Sequence, residues 1–259
     1  MGTLSGRVAV VTGASQGIGR AIALRLAREG ARTVLSARNQ EALERAVAEI
    51  RSGGGEAAYL PLDLRLPDAP GQLADFAVRT FGGIAIVVNN AGATRRGEFS
   101  ALTDQDWDDG FALKFFGAVR LTRAAWPHLS AAAGSLIHIA GSGGRTPGSQ
   151  FTIGGSVNAA LLSFTKAMAD TGLRDGVQVN AINPGTIRTA RFQTRLAALA
   201  AERGLDLEAA ERMFIAEERI ARIGEPDDIA GMVAFLAGPA GRQFHGALLD
   251  MDAGATRTI

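Results

Sequence analysis

The stretch Thr12-Gly13-Ala14-Ser15-Gln16-Gly17-Ile18-Gly19 joins an apolar, β-branched run at residues 7–12 (RVAVVT) to a helical pattern at 18–29, which Gly30 stops. An apolar run of that length and branching is a buried strand, and a glycine just past a helix supplies the turn that ends it. Glycines at 13, 17 and 19 permit a tight turn and close backbone approach. The helix N-terminus behind them adds N–H groups and a partial positive charge. Strand, glycine loop and helix in that order form a cradle for a pyrophosphate. The spacing is GxxxGxG rather than GxGxxG, so the loop alone is weak evidence of its ligand.

The same alternation continues outward. The patterns predict strands at 32–37, 56–62, 84–88, 135–140, 177–182 and 247–251, and helices at 40–50, 72–81, 156–172 and 226–236. Leu43, Val47 and Ile50, at i, i+4 and i+7, share one helix face. Thr103 and Asp106 read as cap and capping partner of a long helix running to about Leu129. No repeat or linker interrupts the order. The expectation is one α/β domain over 1–259, a doubly wound parallel sheet with helices on both faces. The charged stretch 188–222 breaks the alternation, is helical in pattern, and reads as a lid over the sheet's carboxyl edge, where ligands bind in such sheets.

Composition narrows the chemistry. Of 259 residues, 47% are hydrophobic and 20% charged, a globular balance. Lys+Arg 27 against Asp+Glu 26 leaves a net charge of +1, with no general attraction to nucleic acid. The absence of cysteine removes disulfides, thiol nucleophiles and thiolate metal sites, and no His/Asp/Glu spacing suggests a metal. No signal peptide and no long apolar segment is evident, so a cytoplasmic location is expected, with no membrane partner. Only two lysines occur, Lys114 and Lys166, and one tyrosine, Tyr59.

Five marks in order resemble the short-chain dehydrogenase/reductase family across the chain: Thr12–Gly19, Asn89-Asn90-Ala91-Gly92, Pro184-Gly185 with Thr189, Arg222-x-Gly224-x-Pro226, and Asp252-Ala253-Gly254. The resemblance implies a seven-stranded Rossmann fold, a nicotinamide cofactor, a small-molecule substrate, and a homotetramer (or homodimer) built on the long helices and the last strand. It places cofactor contacts at Gly13, Ser15, Gln16, Gly17, Ile18, Gly19, Asp63, Leu64, Asn90, Ala91, Gly92, Pro184, Gly185, Ile187 and Thr189. Ser36-Ala37-Arg38 ends the second strand without the carboxylate that grips a ribose 2′-hydroxyl. A guanidinium there suits a 2′-phosphate, which favours NADP(H) over NAD(H).

The resemblance fails at the chemistry. The family uses a Tyr-x-x-x-Lys pair, a Ser thirteen residues before the Tyr, and an Asn on the long helix. Aligning Asn158-Ala159-Ala160-Leu161 with the family's Lys-Ala-Ala-Leu puts Gly154 at the Tyr position, Asn158 at the Lys position and Gly141 at the Ser position. Lys114 stands at the Asn position. A one-residue slip rescues the serine as Ser142, but residues 150–158 hold no tyrosine. Asn and Lys have in effect exchanged places. Lys114, Ser142 and Asn158 are therefore the candidate catalytic residues, with Thr152 and Ser156 as nearby hydroxyls. The two glycines imply either a pocket enlarged beside the nicotinamide or a loosened, non-catalytic loop.

Arg95, Arg96, Arg145 and Arg188 follow strand ends and are candidates to select an anionic substrate. His138 falls on the opposite face of its strand from Gly141 and reads as a core histidine. Three functions stay open: an oxidoreductase on a carbonyl/alcohol pair with a non-standard active site, a cofactor-binding protein without catalysis, and a non-redox lyase or isomerase.

Overall fold

Seven strands, β1 (Val8–Thr12), β2 (Arg32–Ala37), β3 (Ala57–Pro61), β4 (Ile86–Asn89), β5 (Ser135–Ile139), β6 (Gln178–Pro184) and β7 (Leu248–Met251), form one sheet in the order β3-β2-β1-β4-β5-β6-β7. The computed structural model describes residues 2–257; Met1 and residues 258–259 of the expected domain lie outside them. Every pairing is parallel. The connecting helices are α1 (Gly17–Arg28), α2 (Gln40–Ser52), α3 (Ala69–Phe81), α4 (Asp104–Gly110), α5 (Gly117–Ala131), α6 (Thr152–Asp175), α7 (Ala190–Arg203), α8 (Leu207–Glu218) and α9 (Pro226–Ala237).

The apolar run of β1 is buried throughout because helices cover both faces of the sheet. Alternation divides it. Ala9 and Val11 join a core with Ile22 and Leu26 of α1, Val47 of α2 and Val233 of α9. Val10 points the other way, among Leu73 of α3 and Leu121 and Leu129 of α5. Each such large side chain contributes about 1.5–3 kcal/mol on burial.

Three segments differ from the sequence expectation. The long helix keeps its capping box, with Thr103 Oγ1 accepting from the Asp106 N–H and the Asp106 carboxylate accepting from the Thr103 N–H. Between α4 and α5, however, it widens into a π-helical stretch, Phe111–Phe116. Such insertions cluster at functional sites, and this one carries Lys114. The helix expected from 156 begins instead at Thr152, because Ile153 and Val157, one turn apart, are both fully buried and hold an extra turn against the core. Residues 188–222 form two helices, α7 and α8, separated by Gly204 at φ 63°. They close a small core of their own around Phe192, Leu196, Phe214 and Ile220.

A latch ties β1 to β4 at their carboxyl ends. Thr12 Oγ1 donates to the Val88 carbonyl at 3.3 Å and accepts from the N–H groups of Asn90 (2.9 Å) and Ala91 (3.0 Å). Asn90 Nδ2 donates to the carbonyls of Thr12 (2.9 Å) and Gly13 (3.3 Å). Thr12→Val keeps the shape but strands two N–H groups, so it is expected to lower stability by about 1–3 kcal/mol. A denaturant midpoint unchanged from wild type would count against the latch.

Candidate functional site

A cleft of about 960 Å³ opens beyond the carboxyl ends of β1 and β4, where the strand order reverses. Gly13, Ser15, Gln16, Gly17, Ile18 and Gly19 line one side, Arg38 and Leu64 one end, and Asn90, Ala91, Gly92, Pro184, Gly185 and Thr189 the floor and far wall. Two residues expected at the cofactor do not line it. Asp63 is turned to its neighbour, with Arg65 Nη2 at 2.6 Å from its carboxylate, and that pairing holds its pKa below the usual range. Ile187 is buried in the core, and its backbone forms a bridge with Gly224.

The glycine loop is shaped to receive an anionic group. Gly13 and Gly17 adopt φ of 65° and 55°. A Cβ on Gly19 would stand 2.3 Å from the Gly13 carbonyl oxygen, so only glycine lets α1 begin that close to the loop. Gln16, at the N-cap, makes no side-chain capping bond, and no acidic residue occupies the first turn of α1. The N-terminal N–H groups and dipole thus face the cleft without an anion of the protein's own. Arg38 is exposed and has no hydrogen-bond or ion-pair partner among the described residues. These features fit a dinucleotide carrying an additional phosphate.

At the other end of the cleft stands Lys114. Its stem passes over Gly92, where a Cβ would approach the Lys114 Cδ to 2.8 Å. Its Nζ donates to Asn158 Oδ1 at 2.6 Å and to the Ala140 carbonyl at 2.5 Å. No carboxylate is paired with it among the described residues. Burial of the ammonium, and secondarily the charge of Arg191, push its pKa down to about 7. The residue is only partly buried as a whole because its stem lines the open cleft. Asn158 itself is buried. Ser142 also lines the cleft, at the start of a 3₁₀ turn, Ser142–Gly144. Thr152 and Ser156 do not line it.

The glycines do not leave empty space. A Cβ built on Gly154 falls 2.0 Å from the Phe151 ring, and one on Gly143 falls 2.8 Å from it. Phe151 therefore fills the room that a side chain at 154 would need, and the expected enlargement there is absent. Gly154 and Gly155 are buried within the first turn of α6, so the alternative of a loosened loop is also corrected. Beside Gly141, at φ 143°, the nearest group is Asn158 Nδ2, 2.9 Å from where a Cβ would sit.

Of the four arginines proposed to meet an anion, three are already paired. Arg95 meets Asp106 at 3.2 Å, Arg145 meets Asp250 at 2.7 Å, and Arg188 is held by Glu211 (2.7 Å) and Glu225 (2.8 Å). Arg96 lines the cleft, with Arg191, Arg195 and Glu218, which the sequence reading missed. For Arg191 and Arg195, the position just after Thr189 on α7 was the available signal; Glu218, at the end of α8, had none. His138 is fully buried, and burial pushes its pKa down to about 3. Its Nδ1 lies 3.3 Å from Asn89 Nδ2, so it accepts there and stays neutral. Among the described residues no helix is long and apolar enough to cross a membrane, and no cluster of metal-ligating side chains forms.

Residues 7–200 match the family described as short chain dehydrogenase. The chain belongs to the short-chain dehydrogenase/reductase family. An uncharacterised oxidoreductase of Mycobacterium tuberculosis is 36% identical over 98% of this chain and 93% of its own length. The crystal structure of L-sorbose reductase from Gluconobacter frateurii, complexed with NADPH and L-sorbose, superposes with a TM-score of 0.95 at 32% identity, covering 100% of this chain and 99% of that one. An apo short chain oxidoreductase from Pseudomonas aeruginosa, described as containing an atypical catalytic center, gives 0.92 at 30% identity, covering 99% of each chain.

In this short-chain dehydrogenase/reductase the only tyrosine, Tyr59, sits on β3 outside the cleft, donating to Glu44 at 2.7 Å. Installing one is expected to fail for a steric reason. Gly154→Tyr forces the Phe151 ring out of place, at about 1–3 kcal/mol or more. Combined with Phe151→Ala, it is expected to recover most of that loss in thermal unfolding. Equal destabilisation by single and double variants would show that the ring is not the obstacle.

Proposed function

We propose that this chain is an NADP(H)-dependent oxidoreductase of a carbonyl/alcohol pair in which Lys114, not a tyrosine, handles the proton. In this reading Gly141, Gly154, Asn158 and Lys114 stand at the positions where the family carries Ser, Tyr, Lys and Asn. The carrying observation is the Lys114 ammonium: inside the cleft, fixed by two acceptors, and with a pKa lowered to about 7. The NADPH bound in the sorbose reductase supports the cofactor, and the atypical centre of the Pseudomonas protein supports a departure from the usual catalytic set.

The glycine loop would hold the pyrophosphate and Arg38 the 2′-phosphate, and Asn90 fixes the loop against β4. Bound NADP(H) supplies or accepts the hydride. Lys114 commits two N–H groups to Ala140 and Asn158, which leaves a third for the substrate oxygen. As that oxygen gains negative charge, the ammonium first stabilises it and then gives it the proton from Nζ. In the oxidative direction neutral Lys114 takes the proton back. Asn158 orients Nζ, Ser142 offers a second donor, a hydroxyl, and α7 and α8 act as the cover.

A proton donor near pKa 7 sets the sign of the pH dependence. Reduction needs the protonated form, so its kcat is expected to be level below pH about 7 and to fall above it; oxidation should show the mirror image. Lys114→Met is expected to remove that inflection and lower the rate by about 10²–10⁴. The same profile in the variant would refute the assignment. Arg38→Ala is expected to weaken NADP⁺ binding about ten- to a hundredfold, with NAD⁺ little changed. Equal effects on both cofactors in calorimetry would place the 2′-phosphate elsewhere.

A further inference from the structure

We infer that the substrate carries its own anionic group, a carboxylate or phosphate, received by Arg96, Arg191 and Arg195 at the Lys114 end of the cleft. The inference rests on the reading of that end as the substrate site. Three observations point to it.

The first is unneutralised charge. The arginines around the cleft mouth that hold the fold, Arg95, Arg145 and Arg188, each have a carboxylate within 3.2 Å. The arginines lining the cleft do not. Arg96 has no hydrogen-bond or ion-pair partner among the described residues. Arg191 reaches only the Gly92 carbonyl, at 3.4 Å, and Arg195 reaches Glu218 at 3.5 Å. One carboxylate thus faces three guanidiniums and an ammonium.

The second is how two of the guanidiniums are held. Arg96 lies over the Phe151 ring, with Cζ 3.9 Å from its centroid, and Arg195 lies over Phe214 at 4.8 Å. Stacking occupies a guanidinium's face and leaves its in-plane N–H edge free, the edge that grips carboxylate or phosphate bidentately. Phe151 is itself fixed against Gly143 and Gly154. The ring that displaces a side chain at 154 therefore also positions Arg96.

The third is mutual repulsion. Arg96 is held below the ordinary guanidinium pKa by partial burial and by Arg195 and Arg191, and Arg191 also depresses Lys114. A bound anion relieves that repulsion. It also raises the affinity of Lys114 for its proton, which couples occupancy by the right substrate to readiness of the acid.

The test uses short oxo acids whose ketone stands at successive distances from the carboxylate, each beside its methyl ester. Calorimetry with the protein–NADP⁺ complex is expected to show at least one acid binding about tenfold or more tightly than its ester. Arg96→Met and Arg195→Met are each expected to reduce that acid/ester ratio at least several-fold, and Arg96→Lys to restore part of it. If no acid is preferred to its ester, the inference falls. It also falls if the variants weaken NADP⁺ itself and leave the ratio unchanged, since the arginines then serve the cofactor's phosphates. An acid that binds selectively but is not reduced by NADPH upholds the anion site and overturns the redox reading instead.

Discussion

The hydroxyl of Thr12 holds together two segments that have no covalent reason to meet. It accepts from consecutive N–H groups at the end of β4 and donates back into that strand, while Asn90 reaches across to the carbonyls of the glycine loop. Parallel strands splay where the chain departs to opposite faces, and that splay is the crevice. Without the latch its two walls would be independent loops. With it, the N-terminus of α1 and the Asn90–Gly92 turn keep a fixed separation, and the cofactor end of the cleft is shaped before any ligand arrives. The other end inherits this frame, because Gly92, carried by the same turn, provides the passage for the Lys114 stem.

In the proposed reading a lysine does the work of a tyrosine, and the pKa of either group must be lowered for it. A phenol at pKa near 10 must be brought down to donate or accept a proton at neutral pH, and a nearby cation does this. An ammonium at about 10.4 must also come down, but burial and a neighbouring positive charge suffice. The cleft supplies both to Lys114, and no carboxylate is paired with it among the described residues to reverse them. Its neighbours Asn158 and Ala140 offer neutral oxygen atoms, which fix Nζ in place without pinning the proton as a carboxylate would. Under the proposed reading an exchange of Asn and Lys between two facing helices is chemically coherent: the amide orients, and the amine takes the charge.

Much of this was legible in the sequence, for definite reasons. A sheet buried on both faces forces apolar runs, so the seven strands and their parallel arrangement were readable from the alternation of apolar runs with helical patterns. The glycine loop was readable because backbone closeness demands glycine, and Asn90 came from the family resemblance of Asn89-Asn90-Ala91-Gly92. That Tyr59 is the chain's one tyrosine followed from counting. The rest depends on contacts between residues distant in the chain. Arg145 resembles any free loop arginine until Asp250, 105 residues later, neutralises it. The π-helical stretch at Phe111–Phe116 has no compositional mark, since the same residues suit an ordinary α-helix. The pairing of Asp63 with Arg65, two residues on, likewise has no mark in the sequence.

Phe151 is the instructive case. Read along the chain, Gly154 marks a deletion, the loss of a side chain and of a function. In the fold it marks a substitution in space. Phe151, three residues earlier and one turn below, puts its ring where a side chain at 154 would project, and such an occupant cannot coexist with a tyrosine at 154. On the proposed reading, the site is not the usual one with parts removed: the room beside Gly154 is taken by an aromatic ring that also seats Arg96, and the positive charge of the cleft is carried by Lys114 and the arginines of α7. A decayed site would be expected to keep its old cavity, or collapse without pattern. Here the ring of Phe151 and the guanidinium of Arg96 above it line the same cleft as Lys114, which is held separately by Asn158 and Ala140.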